Sequence, residues 1–124
     1  MHRSRLAGFI IDCQTQDLSA AAAFWGAALG MPKLNAHREI YASLDGSKRD
    51  LTIEVQAVTH PSRVHLDIES DDVEAEVRRL EKLGARRVEH VRTWWVMEAP
   101  TGQRFCVVHN PNLANASGVT VWSE

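Results

Sequence analysis

The run RVHLDIES, Arg63 to Ser70, places three side chains that could do chemistry at alternate positions: His65, Asp67 and Glu69. Val64, Leu66 and Ile68 fill the positions between them. Alternate side chains of a β-strand face opposite sides of its sheet. The run therefore predicts an apolar face lying under a helix and an opposite face carrying an imidazole and carboxylates. An imidazole with an ordinary pKa near 6.5 can take up or release a proton at neutral pH, and it can also bind a metal. Neighbouring carboxylates shift one another's proton affinity, as acid–base catalysis requires. LTIEVQAV, residues 51–58, alternates in the same way. Its Ile53, Val55 and Ala57 belong with the helices, and its Thr52, Glu54 and Gln56 with His65. Trp94 and Trp95 in TWWV fall on opposite faces, so one is expected in the core and the other against a ligand or an interface. The candidates for chemistry are thus His65 and Asp67, and those for lining a ligand are Glu54, Gln56, Trp94 and Glu98.

Two helices are needed to back these strands. DLSAAAAFWGAALG, residues 17–30, repeats Leu18, Ala22, Trp25 and Leu29 at helical spacing, with Asp17 or Ser19 able to cap its start and Gly30 its end. Pro32 then blocks its continuation. DDVEAEVRRLEKLG, residues 71–84, repeats Val73, Val77 and Leu80, and Asp71 with Glu74 has capping-box spacing. Its Glu74, Glu76, Arg78, Arg79, Glu81 and Lys82 read as a solvated face. Each helix follows one strand-like run, LAGFIIDC or RVHLDIES. Each precedes others: REIYASL and LTIEVQAV with a short strand near Lys33, then ARRVEH, TWWVMEA and RFCVV. DGSKRD and APTGQR have hairpin-turn composition. The chain is read as β-α-β-β-β written twice. The modules span about residues 5–58 and 62–109 of a single domain, 1–110, followed by a polar tail, 111–124, in which VTVW either adds an edge strand or frays.

The totals set outer limits. The chain has 124 residues, a net charge of −2, 44% hydrophobic and 24% charged residues, and two cysteines, Cys13 and Cys106, outside any CxxC motif. This suits one soluble, cytoplasmic domain with buried free thiols. No basic footprint points to nucleic acid, no apolar run nears the roughly 20 residues that span a bilayer, and MHRSRLAGF does not read as a signal peptide. Nucleophile-elbow, phosphate-loop and dinucleotide motifs are absent.

Three stretches carry a resemblance: AAAAFWGAALG, RVHLDIESDDVEAEVRRLEKLGAR and APTGQRFCVV. They resemble, in order, the Phe-Trp helix, the His strand-to-helix unit and the Pro-x-Gly hairpin of the vicinal oxygen chelate superfamily, which includes glyoxalases, bleomycin-resistance proteins and extradiol dioxygenases, and more narrowly its glyoxalase-like domain group. The resemblance covers roughly residues 6–108. It implies an α+β fold of two βαβββ modules whose curved mixed sheets surround a shared pocket for a small organic ligand, with a homodimer as one option. It also implies, in metal-dependent members, a divalent ion on the pocket face. His65 falls at the family's second-module histidine. The matching first-module position falls at Gly8 or Phe9, and the last-strand glutamate falls at Cys106, a soft ligand unsuited to hard-donor chemistry. The expectation is therefore small-molecule binding in a metal-free pocket without a cofactor, with acid–base chemistry at His65. The alternatives are a metal-dependent lyase, isomerase or dioxygenase using His65, Glu54 and Glu98, and a non-catalytic protein that sequesters an antibiotic.

Overall fold

A computed structural model describes residues 1–34 and 40–123, so His37 and the first two residues of REIYASL lie outside the described residues. The period-two runs form strands and the two helical repeats form helices. The order is β1 (His2–Gln14), α1 (Leu18–Leu29), β2 (Tyr41–Leu44), β3 (Thr52–Val58), β4 (Arg63–Ser70), α2 (Val73–Lys82), β5 (Arg86–Val91), β6 (Trp94–Glu98), β7 (Arg104–His109) and β8 (Thr120–Trp122). The fold is α+β, and the described residues form a mixed sheet of eight strands. The short strand expected near Lys33 is a single bridge to Leu44. DGSKRD forms a 3-10 turn, Ser47–Arg49, between β2 and β3, and APTGQR forms the turn between β6 and β7. The chain packs as two compact units, Gly8–His65 and Met1–Ala7 with Leu66–Glu124.

In the unit Gly8–His65, β1 runs parallel to β3 and β2 antiparallel to it. Ile11, Ala42, Leu44, Ile53 and Val55 meet Ala22 of α1 in one core, with Trp25 partly buried against it. Asp17 caps α1 by accepting from the Ala20 N–H, and Gly30 closes it at φ 67°. Leu29, expected on the buried stripe, is exposed. The helix instead meets the sheet through Ala22 and Gly26, its buried residues, whose small side chains allow close approach. Gly8 sits opposite Thr52, and a Cβ there would collide with the Thr52 carbonyl oxygen.

In the other unit, β4 pairs parallel with β7, and β7, β6 and β5 are antiparallel neighbours. The tail segment VTVW does add a strand, since β8 pairs antiparallel with His2–Ser4 at the start of β1. Val77 and Leu80 of α2 pack on Met97 and Val107. The apolar face of RVHLDIES departs from expectation. Only Ile68 joins this core, while Val64 and Leu66 are 59% and 45% exposed. The cause is where α2 lies. Its ten residues extend only about 15 Å, and they lie on β5, β6 and β7. No described helix is long and apolar enough to cross a membrane.

Two further expectations for α2 are corrected. The cap is Asp72, which accepts from the Ala75 N–H at 3.0 Å, because Asp71 is engaged by the Arg3 backbone N–H at 2.7 Å and by its guanidinium at 3.2 Å. Asp72→Ala should lower stability by about 1 kcal/mol, read as a melting midpoint about 3–5 °C lower. Nor is Glu76 solvated. It is fully buried, accepting two hydrogen bonds from Arg79 at 2.8 and 2.7 Å and pairing with buried His2 at 2.8 Å. Arg79 lies 3.8 Å over the ring of Trp122, whose indole N–H donates to Ser4. A single carboxylate thus ties α2 to both ends of the chain.

Candidate functional site

The polar face of the unit Gly8–His65 follows from strand register. Asp12 lies opposite Gln56, Gln56 opposite Tyr41, and Ser43 opposite Glu54, and register partners share a face. Gln56 Nε2 donates to the Tyr41 hydroxyl at 3.1 Å, and the Ser43 hydroxyl donates to Glu54 at 3.2 Å. At the start of β4, His65 Nδ1 stands 2.7 Å from Asp12 Oδ2. Arg63, two residues earlier on the same strand face, places its Nε 3.8 Å from that oxygen. Asp12 is only 2% exposed, and its Oδ1 has no hydrogen-bond partner among the described residues.

The chemistry follows from the donor inventory. An ionised carboxylate only accepts, so the imidazole proton in this pair belongs on Nδ1. The basic nitrogen of the neutral ring is then Nε2. Asp12 thereby fixes both tautomer and ring orientation, as a carboxylate partner does for a histidine that moves protons. Of the residues expected on this face, His65, Glu54 and Gln56 are brought onto it. Asp12 is the one that sequence reasoning passed over. Its signal is legible in retrospect: it is the only charged residue in LAGFIIDC, in phase with Gly8 and Ile10.

Asp67, Trp94 and Glu98 belong to the other unit. Asp67 is half-buried and lies opposite Cys106 across β4 and β7. Trp95 takes the core-side position, stacked on His90 at 4.8 Å and packed against the α2 cluster, which leaves Trp94 on the opposite face of β6. Glu98 is held by Arg104 at 3.0 Å and by Arg86 at 3.1 Å. These guanidiniums keep its carboxyl below the usual carboxylate range. Cys13 and Cys106 are free, half-buried thiols, and burial pushes Cys13 up. A groove of about 340 Å³ beside α1 is lined by Ala22, Ala23, Gly26, Ala27, Gly30 and Lys33, among others, and holds none of the expected site residues.

The family model for the glyoxalase-like domain matches residues 8–108. The chain belongs to the glyoxalase-like domain family. With it the domain joins the vicinal oxygen chelate superfamily. No curated protein matches the domain in sequence. Among solved structures, methylmalonyl-CoA epimerase from Mycobacterium tuberculosis is 20% identical over 90% of this chain and 92% of that one, with a TM-score of 0.65. Hypothetical protein BH1468 from Bacillus halodurans C-125 is 12% identical over 91% and 99%, with a TM-score of 0.67. A glyoxalase/bleomycin resistance protein/dioxygenase superfamily member from Vibrio splendidus 12B01 is 14% identical over 84% and 97%, with a TM-score of 0.56. At such identities the likeness establishes the fold.

The divalent metal implied by the superfamily can be tested against the donors of this glyoxalase-like domain. At the first-module ligand position, Gly8 or Phe9, neither residue carries a ligand atom, and Gly8 has no room for any side chain, since a Cβ would collide with the Thr52 backbone. Glu98 already answers to two guanidiniums, and a cation would have to displace them. His65 has Nδ1 held by Asp12, an arrangement that orients Nε2 and leaves that nitrogen able to ligate. Of the expected ligands, Glu98 is thus engaged by two guanidiniums, whereas His65 Nε2 and Glu54 are the donors that the unit Gly8–His65 offers.

Proposed function

We propose that this glyoxalase-like domain binds a small carbonyl-bearing organic molecule and that His65, oriented by Asp12, exchanges a proton with it. The observation that carries this reading is the 2.7 Å contact between His65 Nδ1 and a buried carboxylate. Such a carboxylate does two things for catalysis. It holds the ring so that Nε2 is the basic nitrogen, and it stabilises the imidazolium formed when that nitrogen takes a proton from carbon next to a carbonyl. The fold likeness to an epimerase supports it, because epimerisation also requires proton transfer at carbon.

The test is loss of α-proton signal in heavy water, followed by NMR on pyruvate, acetone and dihydroxyacetone. The wild-type domain should accelerate exchange of at least one of them. His65→Gln should reduce the rate by about a hundredfold or more, the range for one general base. Asp12→Asn should also cost about a hundredfold, because an amide that donates to Nδ1 forces the proton onto Nε2, the wrong tautomer. Exchange unaffected by His65→Gln would remove the catalytic reading. Stoichiometric divalent metal in untagged purified protein, lost in His65→Ala, would replace it with the metal-dependent alternative. Tight binding of an antibiotic without turnover would favour sequestration.

A further inference from the structure

The residue beside the His65–Asp12 pair also bears on what the domain recognises. Arg63 opens β4 and is held on two sides. Its Nε lies 3.8 Å from Asp12 Oδ2 and its Nη2 lies 3.2 Å from His60 Nε2. His60 is fixed in turn by a contact of 2.8 Å between its Nδ1 and the Pro61 carbonyl, which the ring N–H donates to. That bond leaves Nε2 as the acceptor for Arg63. Guanidinium groups carry five N–H donors in a rigid fork. The His60 bond uses one Nη2 donor, the Asp12 contact is ionic rather than a hydrogen bond, and the side chain is 49% exposed. Nη1 makes no hydrogen bond among the described residues. A half-exposed guanidinium held by a hydrogen bond to His60 and an ionic contact with Asp12, with donors to spare, is preorganised to receive an anion.

We propose that Arg63 recognises a carboxylate on the ligand, so that the molecule bound here is a carbonyl-bearing carboxylic acid. The substrate class rests on His65 as the proton-transfer group, whereas recognition by Arg63 stands on its own contacts. Charge selects carboxylate over phosphate. A doubly charged phosphate calls for several donors or a helix N-terminus. Arg63 is instead flanked by the neutral His60 ring and by the Asp12 carboxylate, which would repel the second charge. One guanidinium edge matches one carboxylate with two parallel hydrogen bonds.

The ring-proton NMR signals of His60 and His65, assigned with His60→Gln and His65→Gln variants, report on binding directly. Succinate should shift both sets saturably. Succinamide, of like shape without charge, should shift neither at the same concentration, and inorganic phosphate should bind more weakly than succinate. Arg63→Met should weaken succinate binding about tenfold or more, and Arg63→Lys, which keeps the charge but loses the fork, should fall between. Both substitutions are at an exposed position, and an unchanged melting midpoint checks that they fold. His65→Gln should still bind succinate, shown by the His60 shift, even though it no longer exchanges protons. Failure of the proton-exchange test with succinate binding intact would therefore leave this inference standing. Equal shifts from succinate and succinamide, tighter binding of phosphate, or full binding by Arg63→Met would overturn it.

Discussion

Gly8→Ala should lower stability by about 3 kcal/mol or more and drop the melting midpoint by about 10 °C or more. A larger side chain there should leave the domain unfolded. The reason is local. β1 and β3 run parallel, with Gly8 opposite Thr52, and a Cβ at Gly8 would lie 1.8, 2.6 and 2.8 Å from three Thr52 backbone atoms. No rotamer change relieves a collision with backbone, so the two strands would have to part. Their separation would pull apart the core that Ile11, Ile53 and Val55 build with α1. The result bears on function as well, because Gly8 or its neighbour Phe9 falls where metal-dependent relatives are expected to carry a ligand. Gly8→His should not create a metal site; it should destroy the fold. Thermal unfolding of both variants followed by circular dichroism checks this, and a Gly8→Ala variant with a wild-type midpoint would show that the strands can move apart without cost.

The second large effect is expected at Glu76. Glu76→Ala should cost about 3–5 kcal/mol, the penalty for removing one partner of a buried charge cluster. Buried His2 and partly buried Arg79 would both lose the carboxylate they share. The loss should be visible in denaturant unfolding and in faster proteolysis of β8, whose Trp122 lies beneath Arg79. The pH dependence has a definite sign. Burial alone would raise the Glu76 carboxyl, but hydrogen bonds from Arg79 and His2 bring it below its ordinary value of 4.5. A carboxyl whose pKa falls on folding contributes its full stabilisation above the unfolded value. That contribution is lost as pH falls through the folded one. Glu76→Gln should thus flatten the acid limb of the stability curve below about pH 4.5, the ordinary value of the group. Asp71, Glu74 and Glu98 shift in the same direction, but near solvent, where screening leaves each a small share. An acid limb unchanged in Glu76→Gln would assign it to those surface carboxylates instead.

Neither residue is conspicuous as sequence. Glu76 stands three positions after Val73, on the same helical stripe as Val77 and Leu80, yet a glutamate among Glu74, Arg78 and Arg79 reads as solvated. What buries it is contact with His2 and Trp122, distant in the chain, and helical periodicity carries no information about which distant segment will arrive. Val64 and Leu66 err the other way. Their alternation identified the strand and its two faces correctly, but not that α2 would lie over β5, β6 and β7 and leave this stretch exposed.

Taken alone, the sequence determined the elements, because these depend on short-range physics. Alanine-rich and leucine-spaced runs set the helices, alternation set the strands, and Gly, Pro and Asp set the turns. Written twice in one order, they also indicated the family, and alternation put Glu54, Gln56 and His65 on polar faces. Tertiary structure alone decided which polar groups meet. Asp12 reaches His65 because β1 and β4 bring together residues far apart in sequence, and only that meeting shows which imidazole nitrogen is the base. Arg63 becomes a held guanidinium only once His60 and Asp12 flank it. Gly8 is closed to every side chain only because Thr52 lies against it. In each case the deciding quantity is a distance of a few ångströms between residues separated along the chain, and packing sets that distance.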